Sequence, residues 1–416
     1  MPEIPDLAGR SRDELAVLLR EYLLGGHLID RAGMPHVIGP HGREVMGEIA
    51  IDEWMGASPI YTARMQRALG FGSGDVETMF KNLQLDIGSP PQFMDFRFQV
   101  DDADHGAFWL DSCGALLDVE PMGDEFVHTM CHTIEDPTFD ATATAVNPRA
   151  RVRPLHRPPR VPADRTPHCH WTVTIDPADD PIAVPEAAER IARTAAAAVV
   201  IDRPEPRPGD DGWTDYDRPL VEDLPYEWLS ADTLQLVCEE VCLQGQLLVL
   251  AFLDAIERRF GADEAAAAGR KQMIGAAGLV ADRLRRALDL DRSLDAIAEV
   301  VRLHPALRPR AYVDLSALVD GDHVVVAIAP GPALEERSPW SWPALLRVDD
   351  PAPLDAIVQA VDPTARCEPA DVAGAALAWT VTTGHEPAKE PDEVMMTRFS
   401  TGADFTFETR VPTPIR

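Results

Sequence analysis

Lysine is nearly missing from this chain of 416 residues. Only Lys81, Lys271 and Lys389 occur among 38 basic residues, against 69 acidic ones, for a net charge of −31. A surface this acidic repels a phosphate backbone, which argues against a nucleic-acid partner or an anionic membrane. No run of about 18 uninterrupted apolar residues is present, and no basic-then-apolar leader opens the chain, so neither a membrane span nor secretion is expected and a cytoplasmic location is. The longest apolar stretch, residues 247–253, is short enough for a buried helix. No glycine-rich phosphate loop occurs, which argues against NAD or ATP. Cysteine is scarce, six in all, with no Cys-x-x-Cys pair. In such a chain, thiols are expected reduced, and clustered ones are metal ligands or reactive groups more often than disulfides.

What is present is an ordinary globular composition, 45 % hydrophobic and 26 % charged, long enough for two domains or three small ones. Short blocks recur in order. Met94-Asp95-Phe96, Val100-Asp101 and His105 resemble Val313-Asp314-Leu315, Val319-Asp320 and His323. Asp136-Pro137, Asp140-Ala141 and Asn147-Pro148 resemble Asp350-Pro351, Asp355-Ala356 and Asp362-Pro363, and Trp171-Thr172-Val173-Thr174 returns unchanged at 379–382. The expectation is a tandem duplication of an α+β domain, helices followed by an antiparallel sheet, packed as a pseudo-dimer. The copies are 1–202 and 225–416, joined by a Pro/Asp-rich linker at 203–224.

Each copy reads the same way. Ser11-x-x-Glu14 is a capping box opening a helix that Gly25-Gly26 should stop. A second helix over 42–69 should break near Gly56-Ala57-Ser58-Pro59. Residues 92–100 alternate as a half-buried strand, 106–110 return, and 124–146 are helical with an interruption at Pro137. A strand is expected at 168–175, a helix at 185–196 and a closing strand at 197–201.

Comparing the copies separates shared residues from unique ones. Cys113 faces Gly331; Cys131 and His132 face Leu345 and Leu346; His168, Cys169 and His170 face Ala376, Leu377 and Ala378. Thiolates and neutral imidazoles bind zinc, iron and iron–sulfur clusters. The expectation is a Cys₃His site from Cys113, Cys131 and Cys169 with a histidine. Strand alternation puts His168 and His170 on one face and Cys169 on the other. Either Cys169 binds without its neighbours, or the two histidines bind and Cys169 packs beside Trp171. The plain alternative is that all three thiols are small core residues. His105, Glu135 and Asp136, matched in the second copy, read as structural. Cys238, Cys242 and Cys367 read as core. Unique to the first copy is a Pro- and Arg-rich stretch between Asn147 and Pro167; Arg151, Arg153, Arg157 and Arg160 could hold a carboxylate or phosphate. His132 and His156 are the candidate acid–base groups.

Cys113, Cys131, Asn147-Pro148 and the terminal Cys169 together resemble the L-2-amino-thiazoline-4-carboxylic acid hydrolase-like family, related in shape to vinyl-reductase-type small-molecule-binding domains. The resemblance covers about residues 10–200 and, in degenerate form, 227–410. It implies an α+β domain, a cysteine-lined site and hydrolysis of a C–N bond in a small carboxylate. His132, His168 and His170 depart from that pattern, as does the duplication. The reading is therefore a metal-dependent enzyme, with zinc or iron, acting on a small anionic molecule, the second copy closing the pocket and homo-oligomers possible. Its alternative is a protein holding a 4Fe–4S cluster as a redox enzyme or small-molecule sensor.

Overall fold

The computed structural model describes residues 6–415. The chain opens with α1 (Arg12–His41) and α2 (Arg43–Leu69). Ser11 and Glu14 form the expected capping box, each side chain accepting from the other's backbone amide. Gly25-Gly26 does not stop α1, however. A Cβ on Gly26 would lie 2.4 Å from Ile87 Cγ2, so the missing side chain lets the chain around Ile87 approach the helix. The turn comes instead at Gly42, whose φ of 85° is costly for other residues. Likewise α2 runs unbroken through Pro59.

After α3 (Val76–Leu83) come β1 (Met94–Val100) and β2 (His105–Cys113), then α4 (Gly114–Val119). Next is a helix in three parts: α5 (Asp124–His128), a wider π-helical segment (Thr129–Ile134) and α6 (Glu135–Thr144). The interruption expected at Pro137 thus falls just before it, where a proline lacking N–H leaves the preceding turn free to widen. The strands β3 (Ala150–His156) and β4 (Cys169–Ile175) complete a sheet of order β1-β2-β4-β3, antiparallel throughout. β3 lies within the stretch read as a basic loop, because Ala150 and Val152 alternate inward while Arg151 and Arg153 point outward. Short helices α7 (Glu186–Ile191) and α8 (Ala195–Ala198) follow, and the closing strand expected at 197–201 is absent.

The segment read as a linker is packed rather than loose: Tyr216 is fully buried, its amide donates to Leu69 O at 2.8 Å, and β5 (Val221–Glu222) forms there. The second half repeats long helices first, α9 (Ala231–Phe260) and α10 (Ala262–Ala287), joined at Gly261 with φ 93°. No membrane span was expected, yet by length and composition α9 could cross a membrane; its apolar window is wholly buried in the protein. Then come α11 (Leu294–Leu303), β6 (Leu315–Asp320), β7 (His323–Ile328), α12 (Pro332–Glu335), α13 (Trp342–Leu345), α14 (Ala352–Val361), β8 (Ala365–Pro369) and β9 (Leu377–Thr383). Their sheet has the order β6-β7-β9-β8. α15 (Asp392–Thr397) precedes a C-terminal strap whose β10 (Thr413–Pro414) pairs with β5.

The architecture is α+β with antiparallel sheets. Helices α1 and α2 pack on α9 and α10, so both halves share one apolar core. The first sheet carries its own core, with Phe108 between Phe98 and Trp171 across the strands and Phe80 of α3 stacked on Phe98.

Candidate functional site

Between α1, α2, the inner face of β1 and the helix 124–144 lies a cavity of about 700 Å³. Its wall is mostly apolar. Met34, Met46, Met94, Met122 and Met130 contribute flexible thioethers, and Trp54, Phe96, Phe126 and Phe139 contribute rings. Met395, Met396 and Phe399 reach in from α15 and the turn after it, so the second half supplies part of the wall. These three and Met122 are each more than 40 % exposed, which places an apolar rim at the mouth.

A few polar groups face this apolar space. His27, Asp30 and Arg31 share one segment of α1. Asp86 accepts from Tyr61 Oη at 2.8 Å and from Gly88 N at 2.7 Å. Glu135 projects from the first residue of α6, immediately after the π-helical segment. Among the described residues Arg31 is the one guanidinium on the wall, with Nη1 2.9 Å from Asp30 Oδ2 and Nε 3.3 Å from Asp118 Oδ2. Neither ring nitrogen of His27 has a hydrogen-bond partner, although the residue is only 4 % exposed, and Glu135 Oε2 is likewise buried and unpartnered. Orphaned polar atoms of this kind are uncommon in folded proteins and concentrate at functional positions.

Burial sets the ionisation of these groups. It pushes Glu135 up to about 8, partly offset by Arg157, and Asp86 up to about 6, against the hydrogen bonds from Gly88 and Tyr61. Asp30 is also raised by burial, with Arg31 acting against the rise. His27 is driven well below the usual imidazole value by burial and then by Arg31, so it is neutral.

The residues singled out by comparing the halves lie behind or beside this wall. Cys113, Cys131 and Cys169 are buried in the core cluster of the first sheet, and burial followed by Glu135 pushes all three thiols up, Cys113 to about 12. Cys113 Sγ instead accepts from Leu116 N at 3.3 Å, as the cap of α4. The histidines face elsewhere. His168 Nδ1 accepts from Cys113 N at 3.1 Å, and its Nε2 lies 3.1 Å from Arg160 Nη1. His170 is on the outer face, edge-on to Trp109 and His156. Among the described residues no group of three or more His, Cys, Asp or Glu is placed to hold a metal ion. A zinc, iron or cluster site needs ligands converging on one centre, and no such convergence is present among the described residues.

The expected acid–base and anion-binding groups also have structural partners. His132 Nε2 donates to Pro158 O at 2.7 Å, and His156 Nε2 to Pro167 O at 3.0 Å, so both histidines fasten the Pro-rich segment. Arg153 meets Asp140 at 2.9 Å, Arg157 pairs with Asp136, and Arg160 grips Glu120 through two 2.7 Å contacts. Arg151 donates to the carbonyls of Ala150 and Asp180. The basic stretch therefore neutralises local acids. His105 and Asp136, read as structural, pair with Asp102 and Arg157. Glu135, also read as structural, belongs to the cavity. His27, Asp30, Arg31 and Asp86 were missed. The signal for three of them is His27-x-x-Asp30-Arg31 within the otherwise apolar stretch 22–35 of α1, where charge is costly without a purpose.

No protein-family model, curated protein or solved structure matches this chain.

Proposed function

We propose that the protein binds a small, largely apolar molecule in the cavity between the helical bundle and the first sheet. The observation that carries this is the pairing of that roughly 700 Å³ space with His27, buried in its wall and hydrogen-bonded to nothing. Its size is that of a drug-sized ligand site, and a mainly apolar lining with a few convergent polar groups is the usual composition of one. The exposed methionine and phenylalanine rim supplies the route in. In this reading the second half serves the first by lending α15 to the wall. We also infer that the halves arose by duplication, on the strength of their common helix-then-sheet order and the matching strand orders.

The test is titration with an uncharged solvatochromic dye such as Nile red. Saturable one-to-one binding with blue-shifted emission is expected, weakened about tenfold by Thr138→Trp, which fills the cavity. Binding untouched by that substitution would place the dye elsewhere and remove the support.

A second reading is a metal-dependent hydrolase of a small anion, or an iron–sulfur protein. One observation favours it: Cys113, Cys131 and Cys169 share a buried cluster and, with Glu135, influence one another's ionisation. Metal analysis of protein purified without oxygen tests it.

A further inference from the structure

The polar groups around the cavity are unequal in sign. Asp30, Asp86 and Glu135 line it, whereas among the described residues Arg31 is the one guanidinium there and already faces Asp30 and Asp118. Buried Glu53 lies just behind, with both carboxylate oxygens unpartnered. An anionic ligand would meet three carboxyl groups and a cation already claimed twice. A cationic one would meet the reverse. Glu135 is the acid on the wall with an orphaned oxygen and no guanidinium hydrogen-bonded to it, since its neighbour Arg157 pairs with Asp136. Phe126 and Phe139 line the same cavity, and aromatic faces attract an ammonium group. The chain's net charge of −31 adds a long-range pull on cations.

Resting on the cavity reading above, we propose that the ligand is an amphiphilic amine. Its apolar body occupies the methionine- and aromatic-lined space, and its ammonium nitrogen sits against Glu135, whose proton is released to solvent on binding so that the carboxylate meets the cation. Asp30 and Asp86 are held by Arg31 and Tyr61 and shape the polar end without supplying the counter-charge.

The experiment compares three probes of equal chain length on the full chain by calorimetry: N,N-dimethyldecylamine, 1-decanol and decanoate, all below their aggregation concentrations. The amine should bind about tenfold more tightly than the alcohol, and decanoate most weakly. Glu135→Gln should bring the amine to the affinity of the alcohol and leave the alcohol unchanged. Asp124→Asn, the same charge change at an exposed position outside the cavity, should change nothing. Unfolding curves of both variants guard against a folding defect. If Glu135→Gln fails to fold, the wild-type ranking of the three probes decides by itself. Equal affinities, a preference for decanoate, or an amine preference that survives Glu135→Gln would each overturn the proposal. In those cases displacement of Nile red by the alcohol would leave the cavity reading standing. Failure of every probe and of the dye would remove both.

Discussion

Arg31 Nε lies 3.3 Å from Asp118 Oδ2, and the Asp118 side chain is fully buried. The same carboxylate accepts from Ser400 Oγ, Thr401 N and Thr401 Oγ1, each at 2.7 Å. One buried acid of the first half thus ties the cavity's guanidinium to the segment that follows α15. Asp118→Ala should cost about 3–5 kcal/mol, because it removes one of the two carboxylates beside a buried cation and orphans three donors. Urea unfolding measures the loss. Hydrogen exchange should rise first at 400–403, loosening the Met395, Met396 and Phe399 side of the rim.

Glu135 gives the protein a pH dependence of definite sign. Its ordinary value of 4.5 is raised to about 8, mainly by burial, so the folded state holds this proton more tightly than the unfolded chain does. The stability it contributes is complete below about 4.5 and is lost as pH rises to about 8. Glu135→Gln should flatten this part of the stability–pH curve, read as urea midpoints from pH 5 to 9. An unchanged slope would show that Glu135 is solvated.

All six cysteines are buried, and burial raises each thiol. Since the thiolate is the reactive species, a thiol reagent at pH 8 should label the native chain slowly and the denatured chain at six positions. Rapid labelling of one native thiol would contradict this. In the same samples, one equivalent of zinc or iron that disappears in Cys131→Ala would favour the metal reading over the apolar cavity.

Gly26→Ala should destabilise the fold by about 1–3 kcal/mol, because the added methyl meets both Cγ2 and Cβ of Ile87 within 2.6 Å. Thermal unfolding measures it. A neutral result would mean that the segment around Ile87 yields easily, and it leads directly to Asp86 and Gly88 at the cavity.

Much of the framework was legible in the residues alone. Ser11-x-x-Glu14 marks the first helix, and alternation marks β1 and β4. Local signals of this kind depend on a few adjacent residues, which is why they survive without a structure. Gly25-Gly26 misled because glycine serves a close helix contact as well as a helix end, and only the partner, Ile87, distinguishes the two. Arg151 and Arg153 looked like an anion-binding loop because their acidic partners, Asp179 and Asp140, come from outside their own strand.

The thiols and imidazoles stood out by their chemistry and by their absence from the second half. That comparison picked residues peculiar to one core. It passed over Glu135, whose counterpart Asp349 keeps the acid, and could not rank His27, Asp30, Arg31 and Asp86, whose neighbours in sequence are not their neighbours in space. By itself the sequence determined the helices, most strands, the acidity and the repeated order of elements, since periodicity and composition are properties of adjacent residues. Only the tertiary structure decided where a cavity opens and which charges face it, because both depend on gaps between segments up to hundreds of residues apart.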